Sequence, residues 1–236
     1  MIPIPLHDHI RRRSFWASTL AIIIINTLIF LFELSLGTPH LNAVIFEFGI
    51  IPARYTSHYA MRGGGLEGFF VPIFASMFLH GGWLHLIGNM LFLFVFGRSI
   101  EDRFGHLKFL VIYFASGFVA AVTHIALNAG SRVPTIGASG AIAGVLGAYF
   151  VSFPSARITT LIPLFIFFWK VEVPAVLLLG YWFLIQFVTG TQMLNIQSAT
   201  QGGVAWWAHV GGFLIGILLA AILRPAARRV TVEMIS

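Results

Sequence analysis

Long apolar stretches constrain this chain more than any other feature. The run from Phe15 to Leu36 holds one acid and no base, and His106–Leu127 holds a single lysine near its start. About 20 apolar residues carry a helix across a hydrocarbon core of about 30 Å. Backbone polar groups find no partner in lipid, so such runs fold as helices that satisfy their own hydrogen bonds. Six spans are expected, at about Phe15–Leu36, Trp83–Phe96 with an apolar approach from Phe69, His106–Leu127, Ile136–Phe153, Val171–Val188 and Trp206–Leu223. The segment Ile158–Trp169 is also apolar, but Pro163 breaks helical bonding within it. It is expected to be re-entrant or interfacial, and counting it as a span would give seven.

Composition agrees with this reading. The chain is 58% hydrophobic and 9% charged, whereas soluble domains are about 25% charged. The expected fold class is an all-α membrane protein, a single bundle over residues 1–236 with an interfacial first external loop. Six spans place both termini on one side, and the charges test that count. Eleven basic residues (Arg11, Arg12, Arg13, Arg98, Arg103, Lys108, Arg157, Lys170, Arg224, Arg228 and Arg229) then fall on the terminal side, against three (Arg54, Arg62 and Arg132) opposite. That bias orients the termini to the cytoplasm. It also explains the net charge of +6 without nucleic acid, because the bases flank apolar spans. Arg11-Arg12-Arg13 before an apolar run mimics a targeting signal. The run is too long for a signal peptide and no small-residue cleavage site follows, so it is read as a retained first helix. The chain has no cysteine, which excludes cysteine catalysis. The connection from Thr38 to Gly68 mixes Phe46, Phe48, Ile50, Ile51 and Tyr59 with Arg54 and Arg62, a pattern suited to the membrane interface. Gly63-Gly64-Gly65 reads as a flexible break, and the lack of an obvious extra domain suggests a minimal core.

Polar groups are costly inside a span and mark function there. In the six-span topology the even-numbered spans all enter from outside. Ser139 lies near the start of the fourth, His209 early in the sixth, and His85 and Asn89 in the first two turns of the second. They share one depth. A hydroxyl and an imidazole at similar depth suit a nucleophile and its base. Gly137 and Gly140 flank Ser139, baring the hydroxyl and letting backbone N–H groups approach a reacting carbonyl. Gly212 and Gly216 follow His209 on one face and permit close approach to another helix, bringing His209 to Ser139 if that helix is the fourth. His85 and Asn89 are i, i+4 neighbours, and both can donate to an oxyanion. His80 is assigned a structural hydrogen-bonding role in the entry loop.

Each residue also has a plainer reading. Ser139 could bond its own backbone, His209 a core carbonyl, and His85 and Asn89 a neighbouring helix. A zinc site of His80, His85 and His209 lacks a nearby carboxylate and a His-Glu-x-x-His motif, so no metal or cofactor is expected. Glu33, the one acid well inside a span, is expected to pair with a polar neighbour or reach the interface. Glu101-Asp102-Arg103-Phe104-Gly105 is expected to be an ion-pair latch between the second and third spans. Trp182 and Gln186 read as packing or as part of a lateral entry surface.

Taken together, His80-Gly-Gly-Trp-Leu-His85-Leu-Ile-Gly-Asn89, Glu101–Gly105, Gly137-Ala-Ser139-Gly140 and Ala208-His209 with Gly212 and Gly216 resemble the rhomboid family of intramembrane serine proteases. The resemblance covers about residues 69–223. It implies a six-helix bundle with a water-filled cavity open to the outer side. It also implies a Ser139–His209 dyad with no acid, and an oxyanion pocket from His85, Asn89 and the Ser139 N–H. The implied partners are transmembrane protein substrates in the lipid bilayer, with small and helix-destabilising residues near the cut. By analogy the home is a prokaryotic plasma membrane. Two positions depart from the pattern. Ala143 stands where many bacterial relatives have a tyrosine stacked on the histidine, and no Trp-Arg pair occurs between Thr38 and Phe70. The competing expectations are an inactive rhomboid-like protein that binds membrane clients and a small-molecule transporter. The first would lack the serine or histidine. The second would favour charged or repeated sites near the midplane.

Overall fold

The computed structural model describes residues 3–56, 65–164, 167–194, 205–223 and 225. Tyr59, Arg62, Gly63, Gly64, Arg224, Arg228 and Arg229, used in the reading above, lie outside them. The described helices are α1 (Ala17–Ser35), α2 (Thr38–Phe48), α3 (Pro52–Thr56), α4 (Gly65–Ala75), α5 (Trp83–Phe104), α6 (His106–Leu127), α7 (Ser139–Ser152), α8 (Ala175–Leu194) and α9 (Trp206–Ile222). The first to sixth expected spans correspond to α1, α5, α6, α7, α8 and α9. The chain forms a helical membrane bundle.

Length sorts these helices. α1, α5, α6 and Ala175–Gln192 of α8 are long and apolar enough to cross a bilayer. α7 has 14 residues and α9 has 17. At 1.5 Å per residue they reach about 21 and 25 Å, short of the ~30 Å core. α5 runs on past the expected Phe96 through a π-helical stretch, Leu93–Gly97.

α1 turns one stripe inward, with Thr19, Ile22, Asn26, Phe30 and Glu33 buried at helical spacing. Leu28, Leu31 and Phe32 on its other side are exposed, as lipid-facing residues must be in a bundle without water around it. α2 buries none of its residues, which fits a helix resting in the interface.

α7 and α9 cross at the centre through small residues. A Cβ on Gly212 would lie 2.2 Å from the Gly140 carbonyl oxygen, and one on Gly216 would lie 1.9 Å from that of Gly144. On α7, a Cβ on Gly147 would meet the Phe213 carbonyl oxygen at 2.0 Å. Only glycine allows this backbone approach, so the expected partner of the Gly212–Gly216 face is indeed the fourth span.

One expected boundary needs correction. The described residues of Ile158–Trp169 are extended, so the segment is not a seventh helical span. It forms most of an antiparallel hairpin, β2 (Arg157–Leu164) and β3 (Phe167–Pro174), and β1 (Ile4–Asp8) adds a third strand beside β2. Pro163 forbids a helix there, while β-branched Ile158, Thr159 and Thr160 suit a pleated ladder. The fifth span therefore starts at Ala175, because Val171–Pro174 belongs to β3. Asp8 locks the sheet to the bundle. Its buried carboxylate takes Arg12 at 2.5 Å, Tyr149 Oη at 3.1 Å, and the hydroxyl of Ser99.

Glu101 does more than the expected latch, because it also caps α1. It accepts from the Ser18 and Thr19 N–H groups at 2.7 Å each and from Thr19 Oγ1 at 2.6 Å. These are orphan donors at a helix N-terminus, where a carboxylate is favoured. The expected tie between the second and third spans is present as well, with Glu101 Oε1 2.5 Å from His106 Nδ1. Asp102 extends the clamp to the Arg13 N–H, the Ser14 N–H and the Ser14 hydroxyl.

Candidate active site

Ser139 is the first residue of α7, so its position follows from how the helix begins. Gly137 before it adopts φ 123°, a conformation that favours glycine. A Cβ there would also strike His85 Nε2 at 2.6 Å. The turn is anchored by Gly137 N–H donating to Ser76 O at 2.8 Å. A reciprocal backbone pair between Ile50 and Thr135 ties it to the external segment. The N-terminus of α7 and the Ser139 hydroxyl open into a cavity within the bundle. The free N–H groups and the positive end of the helix dipole face the same space.

His209 comes from α9, held at this depth by the glycine crossing. Its Nε2 lies 2.8 Å from Ser139 Oγ. Its Nδ1 lies 2.6 Å from Gln186 Oε1 on α8. A carbonyl oxygen only accepts, so Nδ1 carries the proton. Nε2 then offers its lone pair, and the Ser139 hydroxyl donates to it. The Trp182 ring, one turn before Gln186, stands 5.8 Å from the imidazole at 39°. His209 and Gln186 are 7% and 3% exposed, so the bond between them is buried, while the Ser139 hydroxyl faces the cavity.

A second polar group faces the serine. Glu33 of α1 accepts the His80 N–H at 3.2 and 3.3 Å, which is the polar neighbour anticipated for it. His80 Nδ1–H donates to Phe78 O at 3.4 Å, and its Nε2 accepts from Asn89 Nδ2 at 3.0 Å. His85 Nδ1 accepts from the Gly81 N–H at 3.4 Å, which leaves its Nε2–H pointing toward Gly137. Both His85 and Asn89 thus present N–H donors to the space beside Ser139.

That space is an open cavity of about 1000 Å³ lined by Ser139, His209, His85, Asn89, His124, Trp182 and Gln186, among others. Its volume sits at the upper end for ligand sites. His124 of α6 was not singled out in the sequence, and it bonds Thr135 Oγ1 at 2.9 Å on the cavity wall. From the sequence alone, Gln186 reads as packing or entry surface. Its place four residues from Trp182 in an otherwise apolar helix was the available signal. The rival zinc set fits poorly, because His209 and His80 each have both ring nitrogens engaged by Ser139, Gln186, Phe78 and Asn89.

The model of the rhomboid domain matches residues 67–226. The chain belongs to the rhomboid family. Among curated relatives, it is 28% identical to "Rhomboid protein 1, mitochondrial" of Saccharomyces cerevisiae, over 80% of this chain and 53% of that one. It is 29% identical to "RHOMBOID-like protein 6, mitochondrial" of Arabidopsis thaliana, over 64% of this chain and 43% of that one. It is 28% identical to "Presenilin-associated rhomboid-like protein A, mitochondrial" of Danio rerio, over 77% and 45% respectively. The chain spans about half the length of these relatives. The matched region contains Ser139, His209, His85, Asn89, His80, His124, Trp182 and Gln186, while Glu33 and Ile50 lie before it.

Proposed function

We propose that this rhomboid is an intramembrane serine endopeptidase working through Ser139 and His209. The observation that carries this reading is the 2.8 Å contact between Ser139 Oγ and His209 Nε2, within the range for a nucleophile and its base. A substrate transmembrane segment enters sideways, between α5 and α8, and unwinds at the cavity. Small and helix-breaking residues in the substrate favour that step. Ser139 Oγ attacks the scissile carbonyl as His209 Nε2 takes its proton. The carbonyl oxygen becomes an oxyanion, held by the Ser139 N–H, Asn89 Nδ2 and His85 Nε2. His209 then returns the proton to the leaving amine. Water from the cavity hydrolyses the acyl-enzyme by the same relay run a second time.

Gly137, Gly140, Gly212, Gly216 and His80 are structural in this scheme, holding the serine turn, the helix crossing and the Asn89 amide. No cofactor is needed for any step, and the partners are membrane-protein substrates and the bilayer itself. The distribution of basic residues supports termini on the inner side and a cavity mouth on the outer side. That bias fits a bacterial plasma membrane. The curated relatives are eukaryotic, several with mitochondrial names, and lend no support to that compartment.

The test is cleavage of a single-span substrate in proteoliposomes by the parent and by Ser139→Ala. The expected result is cleavage by the parent and none by a folded Ser139→Ala. Equal rates would overturn the proposal. A parent that retains the substrate without cutting it would instead be a client-binding protein.

A further inference from the structure

We propose that Gln186 is the positioning residue for the base, holding His209 in the one tautomer that can accept a proton from Ser139. The inference rests on the Ser139–His209 reading and adds a residue on a different helix. An imidazole alone has two neutral tautomers, and only the one protonated at Nδ1 leaves Nε2 free to act as base. The choice between them is made by whatever faces Nδ1. Here that atom is Gln186 Oε1, at 2.6 Å in a buried setting.

A neutral amide differs from a carboxylate in this place. It fixes the tautomer and the ring plane, but brings no charge to stabilise the imidazolium. Such an arrangement suits a lipid-shielded site, where a buried unpaired charge would be costly. The aromatic neighbour takes a share of the positioning. Ala143 on α7 leaves the imidazole without a ring from that side, and Trp182 stands beside it from α8 instead. Both contacts therefore come from one turn of α8, which packs on α9. The base is set only while α8 is docked against α9.

Three variants test this: Gln186→Leu, which removes the acceptor, Gln186→Glu, which keeps it, and Ser139→Ala run beside them. The readouts are kcat and KM for the single-span substrate and the labelling rate with a fluorophosphonate probe. Gln186→Leu is expected to lose about 10²-fold in kcat and in labelling rate with KM unchanged, within the 10²–10⁴-fold that a positioned base contributes. Gln186→Glu should recover at least a tenth of the parental kcat. A kcat for Gln186→Leu within threefold of the parent, with Ser139→Ala inert, would overturn the role of Gln186 while leaving the dyad intact. Equal losses in Leu and Glu variants would also overturn it, since packing rather than the acceptor would then be at stake. Activity in Ser139→Ala would sink the dyad reading itself.

Discussion

Gly216→Ala puts the helix crossing to a quantitative test. The new Cβ would sit 1.9 Å from the Gly144 carbonyl oxygen and 2.6 Å from the Gly144 carbonyl carbon and Cα. All three are backbone atoms, so no side-chain rotation relieves the clash. An ordinary C···O contact is about 3.3 Å. α9 must therefore back away from α7 by roughly 1.4 Å at this point. Overpacking of this kind costs about 1–3 kcal/mol. At about 2–4 °C per kcal/mol for a chain of this size, the melting temperature in detergent should fall by about 4–8 °C for a mid-range cost. His209 lies seven residues earlier on the same face, so it moves with the helix. Even half the displacement stretches the 2.8 Å contact with Ser139 beyond hydrogen-bond length. A 1 Å misplacement is worth about 10²-fold in rate. Gly180→Ala is the control, since a Cβ there meets only the Phe150 ring at 3.8 Å. It should leave activity unchanged and keep or raise stability. Differential scanning calorimetry and substrate cleavage read both effects. A Gly216→Ala protein with parental melting temperature and turnover would refute the crossing as described.

Two further changes probe other parts of the account. Glu101→Ala removes three bonds to the start of α1, two of them buried, so stability should drop by roughly 2–3 kcal/mol, read by thermal unfolding, while turnover per folded molecule holds. Asn89→Ala should lower kcat by about 10²–10³-fold if its amide serves the oxyanion, with KM little changed in steady-state cleavage.

The bundle was readable because lipid allows so few backbone solutions. His106–Leu127 appears in the sequence as the same residues that form α6. Ser139 and His209 stood out because polar groups are rare in such runs. The hairpin was not readable from Ile158–Trp169 alone. Its apolar character suits a strand or an interfacial segment equally, and the deciding partner is β1, whose Ile4 pairs with Leu161 far along the chain. Glu101 was seen as a latch, but its main partners are backbone N–H groups of α1, which carry no sequence signature. The role of Gln186 is hidden in the sequence for a related reason. A single amide in an apolar helix reads as packing until the structure places it against Nδ1 of His209.

The most direct measurement of the central claim is where a fluorophosphonate probe attaches. Mass spectrometry of the labelled protein is expected to find one adduct, on Ser139, with labelling lost in both Ser139→Ala and His209→Ala. An adduct on another residue, or labelling that survives in Ser139→Ala, would contradict the account.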